Sequence, residues 1–199
     1  MSSVTPQARK HVNMMVDSTI RNLEKEDLQA ILRNILSMHP SLTESFKLEA
    51  TKRLKGFKDM ESVTLFEKKV GSSEYQLKED VFEKYEKRIR GLIGIGLAPV
   101  ALDKLHNIVE QVCGITYDEE TETGEIIVDK LAIIDGDIVQ TVTGLKEMGD
   151  QQDDVYSVAN KLLAVLKVCK STFEEKNSEC EFPFDRGEKV LVDYCAAHD

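Results

Sequence analysis

The sequence predicts an all-α protein, a bundle of about seven helices, with a small β-hairpin as the alternative for residues 126–142. Three observations predict it. Apolar residues recur at helical spacing in segment after segment. Proline and glycine punctuate those segments where helices begin and end. The 199 residues are 41% apolar and 31% charged, enough to bury a substantial core in a single domain.

The elements follow in chain order. Thr5-Pro6 reads as a cap followed by proline at the first helical position, opening a helix over 6–24 striped by Val12, Val16, Ile20 and Leu23. Leu28, Ile31, Leu32, Ile35 and Leu36 stripe a second helix, with Glu26 and Asp27 at the positive end of its dipole. His39 precedes Pro40 and is pushed out of helical geometry, so this helix should end near Met38. Ser41 and Glu44 have capping-box spacing ahead of a third helix, which runs to Lys55 with Leu42, Phe46, Ala50 and Leu54 inward and stops at Gly56. So short a corner predicts that the second and third helices pack as an αα-hairpin.

Val63–Phe66 is strand-prone, and Gly71-Ser72-Ser73 reads as a loop. Helices are expected over 74–93 and, restarting at Ala98-Pro99, to Cys113. The acidic, turn-rich stretch 117–125 is the candidate linker and internal boundary. Residues 126–142 admit two readings. Ile126–Val128 and Leu131–Ile134 could be hairpin strands around Asp135-Gly136-Asp137, but Ile127, Leu131, Ile134, Ile138 and Val142 keep helical spacing, which favours helix. Helices over 152–175 and 185–197 complete the chain.

No apolar run approaches the length of a membrane span, and residues 1–20 lack a signal-peptide core. The four cysteines are widely spaced and form no CxxC, which favours a reduced intracellular protein, cytoplasmic or nuclear. Charge is lopsided. Residues 1–56 hold nine Lys/Arg against six Asp/Glu, whereas residues 115–199 hold eight against twenty. An acidic C-terminal half repels nucleic acid, so no nucleic-acid partner is expected.

Chemical motifs are weak. Gly91-Leu-Ile-Gly94-Ile-Gly96 lacks the lysine and hydroxyl of a phosphate loop, and Pro99 stands where a dinucleotide fingerprint needs glycine. Asp135-Gly136-Asp137 resembles a calcium-loop fragment, but Lys146 or Met148 occupies the position of the final glutamate. His11, His39, His106 and His198 share no zinc spacing, and Cys113 and Cys169 are expected to be buried thiols. No catalytic residue, cofactor or metal is therefore assigned. Lys47, Lys52, Arg53, Lys55 and Lys58 form a basic patch at the end of the third helix and are the candidate partner-binding residues.

The pattern Leu28…Ile31-Leu32…Ile35-Leu36…His39-Pro40-Ser41-Leu42 resembles the start of the helical domain in the fungal nuclear-proteasome tethering factors of the Cut-eight type. The resemblance covers about 30 residues. It implies a nuclear, dimeric, non-enzymatic adaptor that links proteasomes to the nuclear envelope. Family members carry a lysine-rich segment ahead of the bundle. Here Met1–Val4 precede the first predicted helix without a lysine, so the fold is expected without that segment.

The functional expectation is a non-enzymatic adaptor or scaffold with a protein partner or a second copy of itself, associated with the proteasome or chromatin. An enzyme or small-ligand binder would place its site between helices, around Tyr75, Tyr85, His106 and Tyr117. A third class is a microbial or viral effector presenting an acidic surface to a basic partner.

Overall fold

Helical spacing in the sequence becomes eight α-helices and one two-stranded hairpin among the residues described by the computed structural model, namely 14–55, 63–148, 153–177 and 180–198. The chain divides into two compact units, residues 1–49 and 50–199. The predicted start of the first helix at Thr5-Pro6 and the stop at Gly56 lie outside the described residues.

The first unit holds α1 (Met14–Asn22), α2 (Lys25–Met38) and the start of α3 (Thr43–Lys55). His39 leaves helical geometry at φ −131° and ψ 73°, as its place before proline requires. Pro40–Leu42 then form one 3-10 turn that runs directly into α3. Ser41 lies inside that turn and so does not cap α3. The Glu44 carboxylate accepts from Lys47 Nζ at 3.3 Å.

The αα-hairpin expected here is not among the closely packed helix pairs of the described residues. A hairpin needs residues that reverse the chain, and only His39 departs from helical geometry between the two helices.

The second unit is built on α5 (Ala98–Val112), whose buried residues Ala101, Leu102, Leu105, Ile108, Val109 and Val112 cover more than one face. It packs against α4 (Glu79–Gly94), α6 (Glu122–Met148) and α7 (Asp153–Lys176), while α8 (Asp185–Ala196) closes over α6 and α7. Ile127, Leu131, Ile134, Ile138, Val142 and Leu145 of α6 are all buried. Their 3- and 4-residue steps put all six on one side of a helix, where strand alternation would scatter them over two faces.

The hairpin alternative for 126–142 is thereby corrected, since that segment is helix throughout. The hairpin of this protein lies earlier. β1 (Phe66–Lys68) pairs antiparallel with β2 (Tyr75–Leu77), Phe66 opposite Leu77 and Lys68 opposite Tyr75. Gly71 takes φ +80° in its loop, a conformation open to glycine at little cost.

Polar side chains fasten the hairpin to the bundle. The Gln111 side chain accepts from Leu65 N–H at 2.8 Å and donates to the Val63 carbonyl at 3.0 Å. Tyr75 N–H donates to the Thr116 carbonyl at 2.9 Å. A single amide side chain thus takes the place of a third strand at this edge.

Asp135-Gly136-Asp137 sits in the middle of α6 and ties together three helices. Asp135 accepts from Gly187 N–H and from Arg186 Nε, each at 2.7 Å, so it caps the otherwise unpaired first turn of α8. A Cβ on Gly187 would lie 2.9 Å from Ile138 Cγ2, so glycine is needed for this close approach. Asp137 faces α4, where Arg90 Nε lies 3.1 Å away and Arg90 also pairs with Glu86 at 2.7 Å.

Candidate functional site

The feature with the clearest functional meaning is the apolar surface of the first unit. Leu28, Ile31, Leu32, Ile35 and Leu36 keep the spacing that elsewhere in the chain makes a core, yet α2 contains no buried residue. Ile35 is 37% exposed and Met38 67%. Val16 and Ile20 of α1, Leu42 of the corner, and Phe46 and Leu48 of α3 are exposed as well.

Single exposed apolar residues are ordinary, but a helical stripe with Ile31, Leu32 and Ile35 exposed and no member buried is not. Val16, Ile20, Ile31, Leu32, Ile35, Met38, Leu42, Phe46 and Leu48 are the exposed large apolar side chains among the described residues of this unit. Residues 1–49 hold six Lys/Arg and six Asp/Glu, so the whole net charge of −10 falls on residues 50–199. The first unit is therefore both apolar on its surface and free of net self-repulsion.

The predicted basic patch lies on α3. Lys47, Lys52 and Arg53 are exposed there. Lys47 is engaged with Glu44, and Lys55 is the last residue of the helix. Lys58 lies outside the described residues. Cations near a helix C-terminus stabilise it without a partner, and they also offer charge to an acidic surface.

Of the residues expected to line a site between helices, Tyr85 and Tyr117 are buried. Tyr85 is buried, and its hydroxyl donates to the Lys104 carbonyl at 3.2 Å. Burial pushes that hydroxyl up to about 12, so it is no proton donor near neutrality. His106 faces Glu110 one turn along the same helix, Nδ1 3.6 Å from the carboxylate. Tyr75 is half-buried on β2. Tyr117 packs its ring 6.0 Å from that of Phe173, and burial raises its hydroxyl too.

Tyr117 lines an open groove. The groove has a volume of about 540 Å³ and is lined by Ser73, Glu74 and residues 116–120 on one side, and Lys176, Asn177 and Cys180 on the other. Sequence reasoning found its acidic rim at Asp118, Glu119 and Glu120 but missed Lys176, Asn177 and Cys180. Those three lie some sixty residues away, and only the packing of α7 against α5 brings them near.

Asn177 also holds the loop from beneath, its side-chain amide reaching the Ile115 carbonyl at 3.4 Å. Among the described residues no three His, Cys, Asp or Glu side chains converge as metal ligands, and no helix is long and apolar enough to cross a membrane.

Comparison of the chain with protein-family models, with curated proteins and with solved structures finds no match.

Proposed function

We propose that this chain is a non-enzymatic interaction adaptor of the nucleus or cytoplasm that works as a homodimer. Its first unit joins two copies, and the basic residues Lys47, Lys52, Arg53, Lys55 and Lys58 dock an acidic partner. The exposed stripe of α2 carries this reading. A helix with that periodicity forms stably when its apolar face is covered, because helices of this length gain most of their stability from packing. A second copy supplies a matching apolar stripe and a matching neutral charge.

The resemblance to nuclear-proteasome tethering factors makes the proteasome, or a chromatin-associated assembly, the specific candidate for the partner. The acidic second unit supports the same view, since it discourages non-specific association with nucleic acid.

Light scattering on the purified full chain tests the dimer, beside a Leu32→Asp/Ile35→Asp variant. A dimer gives about 45 kDa for the parent chain, twice 22.4 kDa, and 22.4 kDa for the variant with helical circular dichroism kept. A parent chain that stays monomeric at about 100 μM, well above the Kd range of stable dimers, overturns it. The docking patch is tested by retention of proteasome subunits from a native lysate. Loss of those subunits in a Lys47/Lys52/Arg53/Lys55→Glu variant supports it, and equal retention rules the patch out as the docking site.

A further inference from the structure

The packing of α5 against α7 brings together two cysteines that stand 56 residues apart in the sequence. The Cys113 thiol lies 3.2 Å from the Val109 carbonyl oxygen, one turn back on α5. The Cys169 thiol, coming from α7, lies 3.7 Å from that same oxygen. Both are free thiols. Two sulfurs thus converge on one carbonyl oxygen across a helix–helix contact.

We infer that Cys113 and Cys169 form an oxidisable dithiol, at which a small hydroperoxide closes a disulfide between the end of α5 and the middle of α7.

The two thiols differ in the way such a pair requires. Cys113 is half-buried and Cys169 fully buried, so Cys113 is the more accessible of the two. The hydrogen bond from Cys169 holds the Cys113 thiol below the usual thiol range, with help from the Lys176 cation and against the pull of burial and Glu110. The same bond, together with burial, pushes the Cys169 thiol up. Lys176 Nζ stands 3.5 Å from the backbone carbonyl of Cys113, which brings a positive charge to the same residue.

Cys113 is therefore the attacking sulfur and Cys169 the resolving one. The Cys113 thiolate attacks one peroxide oxygen, the O–O bond breaks, and hydroxide leaves to take up a proton as water. Cys113 is now a sulfenic acid. The Cys169 sulfur attacks the Cys113 sulfur, the S–O bond breaks, and the departing hydroxide takes the Cys169 proton as a second water. Two thiols and one hydrogen peroxide give one disulfide and two waters, with two electrons passing from sulfur to the peroxide. The new bond closes a loop that contains all of α6.

The test treats the reduced full-length chain with hydrogen peroxide, blocks remaining thiols under denaturing conditions, and maps peptides by mass. The expected result is a mass lower by two hydrogens, a Cys113–Cys169 cross-linked peptide, and blocked Cys180 and Cys195. A Cys169→Ser variant should give a sulfenic acid at Cys113 that dimedone traps, with no cross-link. A Cys113→Ser variant should leave Cys169 unoxidised. Four blockable thiols after treatment, a cross-link to Cys180 in place of Cys169, or Cys113 over-oxidised without a cross-link would each overturn the inference. The parent chain alone separates these outcomes, even if a serine variant fails to fold. The dimer test reads a different unit and is unaffected by the result.

Discussion

Helices α2 and α6 carry the same signal in sequence and meet opposite fates. Each has isoleucine and leucine at steps of three and four. In α6 every one of those residues is buried, and in α2 none is. Helix α6 has neighbours on several sides in α4, α5 and α8. Among the described residues, α2 packs chiefly on the corner that follows it. Periodicity states that a helix has a face to cover, and says nothing about what covers it. Where the chain itself supplies the cover, the stripe is core. Where it does not, the stripe is a surface available for assembly.

The largest effect that sharpens this contrast is on folding stability. Ile134→Ala should cost about 2–5 kcal/mol, because it opens a cavity among residues that cannot collapse around it. Ile35→Ala should shift the stability of the second unit by no more than ~0.5 kcal/mol, while weakening the dimer. Urea titration read by circular dichroism, beside light scattering, separates the two. Equal losses of stability would place both stripes in one core.

A smaller effect belongs to the carboxylate that caps α8. Asp135→Ala leaves the Gly187 N–H buried without an acceptor, a loss of about 1–3 kcal/mol in the same titration. Asp135→Asn keeps an acceptor oxygen for that N–H and gives up charge only toward Arg186, whose side chain is well exposed, so it should lose less.

Asp137, two residues on, should behave differently with pH. Burial raises its pKa above the usual carboxylate value, and Arg90 opposes the rise. The folded state then holds this proton more tightly than the unfolded chain does. Its contribution to stability is full below the usual carboxylate pKa and is lost as pH rises through the native value. The parent chain should therefore lose stability relative to Asp137→Asn between acidic pH and neutrality, as urea midpoints along a pH series would show. A difference that stays flat over that range would mean Arg90 cancels the burial.

The smallest effect is expected at the surface. Lys170 of α7 bridges Asp185 at 2.6 Å and Glu188 at 3.1 Å on α8, and those two carboxylates raise its pKa. The pair is well hydrated, so Lys170→Ala should cost under ~1 kcal/mol and less still in high salt. A loss as large as that of Asp135→Ala would mean that the bridge, and not the buried cap, holds α8.

The residues legible from sequence are those whose roles are local. His39-Pro40 ends a helix by the geometry of its own peptide unit. Gly71 turns a hairpin loop, and the prolines at 40 and 99 open helical segments. Asp135-Gly136-Asp137 misleads for the same reason. Read locally it suggests a turn or a cation loop, and its real partners are Gly187, Arg186 and Arg90, each about 47 to 52 residues distant. The groove behind Tyr117 and the Cys113–Cys169 pair are not legible, because each joins residues near the ends of α5 or the hairpin to residues of α7 or just beyond it, and no local pattern announces that pairing.

The sequence by itself determined the helical class, most helix ends and the lopsided charge, since backbone preference, side-chain periodicity and ionisation belong to each segment alone. Tertiary structure alone decided which stripe is core and which is surface, where the hairpin lies, and which distant side chains meet. Those outcomes depend on the free energy of one helix against another, and that quantity exists only once the chain has brought them together.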